Sequence, residues 1–229
     1  MAQLPWRVLR SRPVTFAKAR LAAERCSEDL SQLLDSHGTR TRVTSLLQAF
    51  IEALQECEAN SYVRDSTKYV PCVKGFKVRG VVQIHPSFLG NPLKGVYVYL
   101  SNFLMQYNDY VGGIWLTCGK ICQLDKYGYV TDGDCLGILS LRITVKLLVF
   151  VPQNGLMFGK VVRTLPERAS LLVYGIFGVT VRSAEGSRDQ ANTLKEGDLV
   201  DADVDQVKIL QKNKWVMLAT SVDRVKVIS

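Results

Sequence analysis

Six cysteines, two histidines and one loop of paired aspartates are the residues of this chain whose types could support metal or acid–base chemistry. Cys118-Gly-Lys-Ile-Cys122 is the only close thiol pair. A tetrahedral zinc site would need two further ligands at defined spacing, and His37 and His85 do not provide them. General acid–base catalysis most often uses histidine, which is scarce here. No phosphate-binding glycine loop, nucleophile elbow or metal-binding helix motif occurs in the chain. Asp132-Gly-Asp134 combines the residues that tight turns require, and no Glu follows at the position an EF-hand would need. The chain is therefore read as a binder, with no catalytic residue, no metal and no cofactor.

Composition points the same way. The 229 residues are 47% hydrophobic and 22% charged, enough for two small domains with their own cores. No apolar run reaches the roughly 20 residues that span a bilayer. The longest, near Val145 to Val151, is interrupted by Lys146 and ends at Pro152, which is the pattern of a buried strand. A net charge of +8 favours acidic partners, either nucleic acid or an acidic protein surface. The scattered cysteines read as reduced thiols of an intracellular protein. The first 25 residues hold six basic residues (Arg7, Arg10, Arg12, Lys18, Arg20, Arg25) and a single acid, Glu24, a bias shared with mitochondrial presequences. Against that reading, the spacing that follows is that of a packing element.

The elements that would position a binding site divide the chain into three. From Phe16 to Leu34, apolar residues recur at steps of three and four; His37-Gly38 interrupts them, and Val43, Leu47, Phe50, Leu54 and Cys57 resume the pattern. A helical hairpin is expected within 1–75. In 76–152, Phe76 to Ile84 alternates as a strand, Pro86 and Pro92 bound a loop, and Pro92 to Tyr107 reads as a helix lined by Val96, Leu100, Phe103, Leu104 and Tyr107. Strands are expected at Gly113 to Thr117, Lys120 to Tyr129 with its turn, and Leu139 to Val151, so that one helix lies on a small antiparallel sheet. In 153–229, Leu156 to Val162, Leu171 to Tyr174, Phe177 to Val181, the alternating Val200, Ala202 and Val204, and Trp215 to Thr220 supply five strands with glycine pivots, the makings of a small barrel. The fold class is α+β.

This last segment resembles the S1 subtype of the oligonucleotide-binding (OB) fold. Gly175-Ile176-Phe177-Gly178 falls where such domains present an aromatic for base stacking, a contact every base can make. Lys160, Arg182, Lys208, Lys212 and Lys214 would supply phosphate contacts around Phe177. Two readings stay open: a stacking aromatic with phosphate-binding cations, or a core aromatic beneath a solvated face. The segment from Gln153 onward has 11 basic and 9 acidic residues, a net of only +2.

A longer resemblance covers Phe76 to the end. His85-Pro86-Ser87-Phe88-Leu89-Gly90-Asn91-Pro92-Leu93-Lys94-Gly95-Val96, Leu100 to Tyr107, Val145 to Pro152 and Gly155 to Val162 are similar to the larger stalk subunit of eukaryotic RNA polymerases. Tyr110-Val111-Gly112-Gly113-Ile114 and Leu171 to Phe177 bring it nearest to the RNA polymerase I member. The order of these motifs carries the likeness. Gly178 stands where the family often has Asn, Ser170 where it often has Gly, and the helical hairpin has no counterpart. The resemblance implies a tip domain anchored to polymerase core subunits, a smaller stalk partner, an S1-like barrel near nascent single-stranded RNA, a polymerase I initiation factor as a further partner, and a nuclear, nucleolar location with no membrane contact. Docking is expected on His85, Pro86, Phe88, Leu89, Asn91 and Pro92. The alternatives are a stalk subunit of polymerase II or III, and a free S1-type RNA-binding protein.

Overall fold

The computed structural model describes residues 6–33, 38–123, 128–131, 137–151, 155–165, 168–182, 194–212 and 215–227. His37, the Asp132-Gly-Asp134 turn, Cys135 and Lys214 lie outside the described residues. The chain forms two compact units. One comprises Met1–Val14, Leu21–Leu47 and Val73–Phe150; the other comprises Thr15–Arg20, Gln48–Cys72 and Val151–Ser229. This division differs from the three consecutive segments expected from the sequence. The boundary expected after residue 75 falls inside strand β2 (Tyr69–Ile84), and residues 1–75 are shared between the units.

The helical hairpin is present as α1 (Phe16–Leu33) and α2 (Gly38–Ala59). Ala19, Ala23, Cys26 and Leu30 on α1, and Leu47, Phe50, Leu54 and Cys57 on α2, are buried. These are the positions picked out by three- and four-residue spacing, which places them on one helical face. A short α3 (Ser61–Ser66) follows, capped by Asn60, whose side chain accepts from the Val63 N–H at 3.3 Å.

In the first unit a six-stranded sheet runs in the order β1 (Arg7–Thr15), β2, β6 (Ile138–Phe150), β4 (Gly113–Gln123), β3 (Tyr107–Asn108), with β5 (Tyr129–Thr131) also pairing β6. β2 and β6 are antiparallel over twelve residue pairs, from Val73↔Phe150 to Ile84↔Leu139. Their alternation sorts the sheet: Val78, Val82, Ile84, Leu141, Ile143 and Val145 are buried, whereas Lys77, Arg79, Arg142 and Lys146 are exposed. Strand β1 was not anticipated. Arg7 to Pro13 are all exposed, so the stretch lacks the period-two burial that announces a strand. Just before it, Trp6 is buried and meets Trp115 edge to face, ring centroids 5.4 Å apart, while Phe103 packs on the same indole at 5.6 Å.

Helix α4 (Pro92–Ser101) ends well before Tyr107, which corrects the expected range. The backbone beyond it is claimed by β4. The Met105 N–H donates to the Trp115 carbonyl at 2.7 Å, the Trp115 N–H donates to Gln106 O at 3.2 Å, and Tyr107 pairs with Ile114. Inter-strand bonds at Met105 and Tyr107 are incompatible with continuing the i→i−4 ladder. Lys120 to Gln123, expected to open a separate strand, instead continues β4, which accommodates register shifts between Trp115 and Thr117 and between Cys118 and Ile121.

In the second unit, β7 (Gly155–Leu165), β8 (Arg168–Val173), β9 (Phe177–Arg182), β10 (Leu199–Lys212) and β11 (Trp215–Val227) close a barrel in the order β10-β11-β9-β8-β7. β7 completes the circle by pairing with β10, and β9 with β11 is its parallel pair. Met157, Val161, Leu171, Val173, Val179 and Val200 are among its buried apolar residues.

Gly80 provides a test of the first unit. A Cβ there would lie 2.5 Å from Trp6 Cε3, and that rigid ring is already wedged against Trp115. Gly80→Ala is expected to destabilise the protein by about 1–3 kcal/mol, seen as a lowered thermal midpoint. An unchanged midpoint would mean that Trp6 does not lie over Gly80.

Candidate functional site

The expected docking segment is a 3-10 turn (Pro86–Phe88) leading into α4. Two side chains build it. His85 Nδ1 accepts from the Ser87 N–H at 3.2 Å, and the Asn91 carboxamide oxygen accepts from the Lys94 N–H at 3.1 Å, so Pro92 stands at the start of α4 with no amide to satisfy. His85 and Asn91 are exposed, and Pro86 and Pro92 are half-buried. His85 and Asn91 therefore act first as caps.

Phe88, expected to be exposed, is half-buried. It lies over Gly95, where a Cβ would come 2.8 Å from that of Phe88. Absence of a side chain at Gly95 lets the ring fold back on the helix, which removes Phe88 from the accessible apolar surface. Leu89 remains, 57% exposed, and the structure adds Leu93, 50% exposed. Helical spacing sets Leu93 on the face of Val96 and Leu100, three and seven residues on, yet in the first turn of α4 it is exposed, so its place on this surface was not legible. Val96, Leu100 and Leu104 are buried. Beneath them the Tyr97 hydroxyl donates to Asp29 Oδ2 at 3.1 Å, and burial, with the Asp29 charge second, raises the phenol's pKa above its ordinary range.

In the barrel, Phe177 is 2% exposed. The side chain nominated for stacking is thus turned into the interior, between strands whose alternating positions are apolar, and presents no face to a base. This corrects the stacking assignment and agrees with the core reading of the same residue. Lys160 is exposed, but its Nζ lies 2.9 Å from Glu56 Oε1 on α2. Arg182 lies on β9 and Lys208 and Lys212 on β10; Lys214 is outside the described residues.

The C-terminal half of α2 lies against this barrel. Phe50 meets Tyr174 edge to face, ring centroids 6.2 Å apart, and the buried Tyr174 hydroxyl donates to the Pro71 carbonyl at 2.9 Å. At Gly175, φ is +70° and a Cβ would fall 2.6 Å from the Ala49 carbonyl oxygen. Only glycine satisfies both the left-handed backbone and the close approach. Arg20 Nε lies 3.1 Å from Glu58 Oε2, and the Tyr62 hydroxyl donates to Asp201 Oδ2 at 2.5 Å. What remains open between α2 and the strands is a groove of about 260 Å³ whose lining includes Glu52, Glu56, Lys160, Leu172 and Leu199. With two carboxylates and one paired lysine on its walls, it is poorly suited to a phosphate.

The two cysteines of Cys118-Gly-Lys-Ile-Cys122 do not share a site. Cys122 is exposed, whereas Cys118 is buried with its Sγ 3.7 Å from that of Cys26 on α1. The hydrogen bond between them lowers the Cys26 pKa and, with burial, raises that of Cys118. Burial, then the neighbouring Glu56 charge, pushes the Cys57 thiol up to about 12 from its ordinary 9.0. The folded chain holds that proton more tightly than the unfolded chain does. Its contribution to stability is therefore complete below about pH 9 and is lost as pH rises toward 12.

These environments predict labelling order. A thiolate-selective reagent at neutral pH should modify Cys122 quickly, and Cys26, Cys57, Cys72 and Cys118 only when denaturant opens the fold; fast modification of Cys57 would contradict its burial. Phe177→Ala should cost about 3–5 kcal/mol, the penalty for emptying a core aromatic site. Loss of RNA crosslinking at unchanged stability would restore the stacking role.

No curated protein matches the chain. Residues 79–135, which run from the end of β2 through α4, β3, β4 and β5, match the family model described as the SHS2 domain found in N terminus of Rpb7p/Rpc25p/MJ0397. Over those residues the chain is similar to the N-terminal domain of the Rpb7/Rpc25 stalk subunits of RNA polymerases.

Proposed function

We propose that this chain is the larger stalk subunit of RNA polymerase I, a non-catalytic component that anchors to polymerase core subunits through the unit containing α4 and projects a nucleic-acid-binding barrel. The observation that carries the reading is the match over 79–135 followed, in chain order, by a closed five-stranded barrel. Antiparallel pairing throughout except β9 with β11 is the connectivity expected of an S1-like OB barrel, whose closure removes exposed strand edges. Polymerase I is preferred over II and III on the motifs from Pro86 to Leu89, Asn91 to Val96 and Tyr110 to Ile114.

Docking falls to Leu89 and Leu93, because a pair of exposed leucines beside a rigid capped turn is what a protein partner can bury. A smaller stalk subunit and an initiation factor for ribosomal RNA genes are the further partners, and the nucleus, within it the nucleolus, is the location. Nascent RNA would meet the barrel through Arg182, Lys208, Lys212 and Lys214 rather than through Phe177.

Tagged protein recovered from its native cells at moderate salt should bring down the large polymerase I subunits. Those of polymerase II or III would move the assignment to a sister enzyme, and recovery of RNA alone would make the chain a free S1-type RNA-binding protein. Leu89→Asp with Leu93→Asp should cut polymerase recovery at least about tenfold, the effect of one or two interface anchors, while the thermal midpoint stays within about 2 °C.

A further inference from the structure

We propose that the solvent face of the six-stranded sheet is a second, sequence-independent binding surface for the phosphate backbone of nucleic acid, distinct from the barrel. None of the strands β1 to β6 contains an aspartate or a glutamate, whereas basic residues occur on β1, β2, β4 and β6. Strand alternation brings several of these to one side. Lys77 and Arg79 on β2 and Arg142 and Lys146 on β6 are the exposed members of strands whose intervening positions are buried.

Register makes the cluster dense. Lys77 is paired directly with Lys146, while Arg79 opposes Thr144 and Val81 opposes Arg142, which sets Arg79 and Arg142 on a diagonal. On the neighbouring strand, Cys122 opposes Thr144, and the exposed Lys120 precedes it by two residues. On the opposite flank, β1 adds three arginines along the edge of the sheet, all exposed. Like charges directly opposite one another destabilise an antiparallel pair. No acidic residue of the sheet relieves Lys77 against Lys146, so an external anion is the group that would.

The chemistry of the face selects the kind of anion. Beside the cations, the positions of β2 and β6 on this face that keep contact with solvent are Val81, Gln83 and Ser140, while Thr144 is buried. Hydroxyl and amide side chains are common phosphate contacts, while no aromatic is among these positions to stack an unpaired base. Lysines are depleted at protein–protein interfaces, whose centres draw on aromatic anchors that this face lacks. A phosphate backbone, met at regular spacing along strands, therefore fits better than an acidic protein segment. The proposal does not depend on which polymerase, if any, the chain serves.

Fluorescence anisotropy of the full-length protein, with a labelled 20-base-pair duplex and a 20-nucleotide mixed-sequence RNA over a range of salt concentrations, tests it. Lys77→Glu with Lys146→Glu should weaken binding of both probes at least about tenfold at low salt and flatten the plot of log affinity against log salt by roughly one unit per lysine removed. Lys208→Glu with Lys212→Glu on the barrel should leave duplex affinity within about twofold. The milder Lys77→Gln with Lys146→Gln, monitored by thermal melting, separates loss of charge from loss of fold. Unchanged binding by both sheet variants would overturn the proposal, as would loss of binding only in the barrel variant. Displacement of the duplex by polyglutamate at equal charge concentration, with little affinity for either nucleic acid, would overturn it in favour of an acidic protein partner. Failure to recover a polymerase from cells would leave this result untouched, so the two readings fail separately.

Discussion

Much of the first unit depends on the uninterrupted pairing of β2 with β6. Twelve consecutive pairs without a bulge leave no freedom of register, and a slip of one residue would send Val78, Val82, Ile143 and Val145 to solvent while burying Lys77, Arg79 and Lys146. Burying those three cations without partners would be prohibitive. The apolar and cationic positions therefore enforce the register together: one set must leave water and the other cannot. Strand β4 then reads its position from β6, absorbing two irregularities along the way, and β4 in turn decides where α4 must stop by claiming the backbone at Met105.

The barrel unit rests on a different kind of constraint, a close approach of backbone to backbone. Gly175 sits where its left-handed φ and the Ala49 carbonyl both exclude a side chain. With the helix at that distance, Tyr174 loses solvent entirely and must find a hydrogen-bond acceptor, which Pro71 supplies. Lys160 and Glu56 at the margin form a half-exposed ion pair that contributes no more than about 1 kcal/mol. Its importance is electrostatic: a cation that would otherwise be available to phosphate is already neutralised.

How far the sequence carried these conclusions depended on whether local pattern or tertiary context decided each element. Both helices of the hairpin were legible because their apolar stripes recur at helical spacing, and all five barrel strands because β-branched runs stand between glycine pivots. The end of α4 was not, since residues 102–107 keep an apolar helical spacing that β4 overrides. Strand β1 was missed because a strand exposed along most of its length shows no alternation, and its arginines resemble a targeting leader instead. Among the nominated residues, the exposure of Leu89 was legible from its place after a proline turn. Phe88 was misplaced because Gly95, seven residues on, accommodates its ring, and Phe177 because an aromatic between glycines has the same sequence appearance whether it faces solvent or core.

The distribution of charge links the two units to function more clearly than total charge does. Of the net +8, the stretch from Gln153 onward accounts for only +2, and there Asp201, Asp203 and Asp205 precede Lys208, Lys212 and Lys214 along the chain. The sheet strands, by contrast, carry cations with no acid among them. Within about 8–10 Å, the screening distance at physiological salt, a surface charge is felt as part of its local cluster and not of the whole molecule. An approaching polyanion therefore meets a near-neutral barrel and a strongly positive sheet. A basic overall composition would ordinarily be credited to the five-stranded barrel, yet most of the excess positive charge lies before Gln153. On the proposed reading, the barrel would act at short range, through shape and hydrogen bonding, on a nucleic acid drawn in by the sheet.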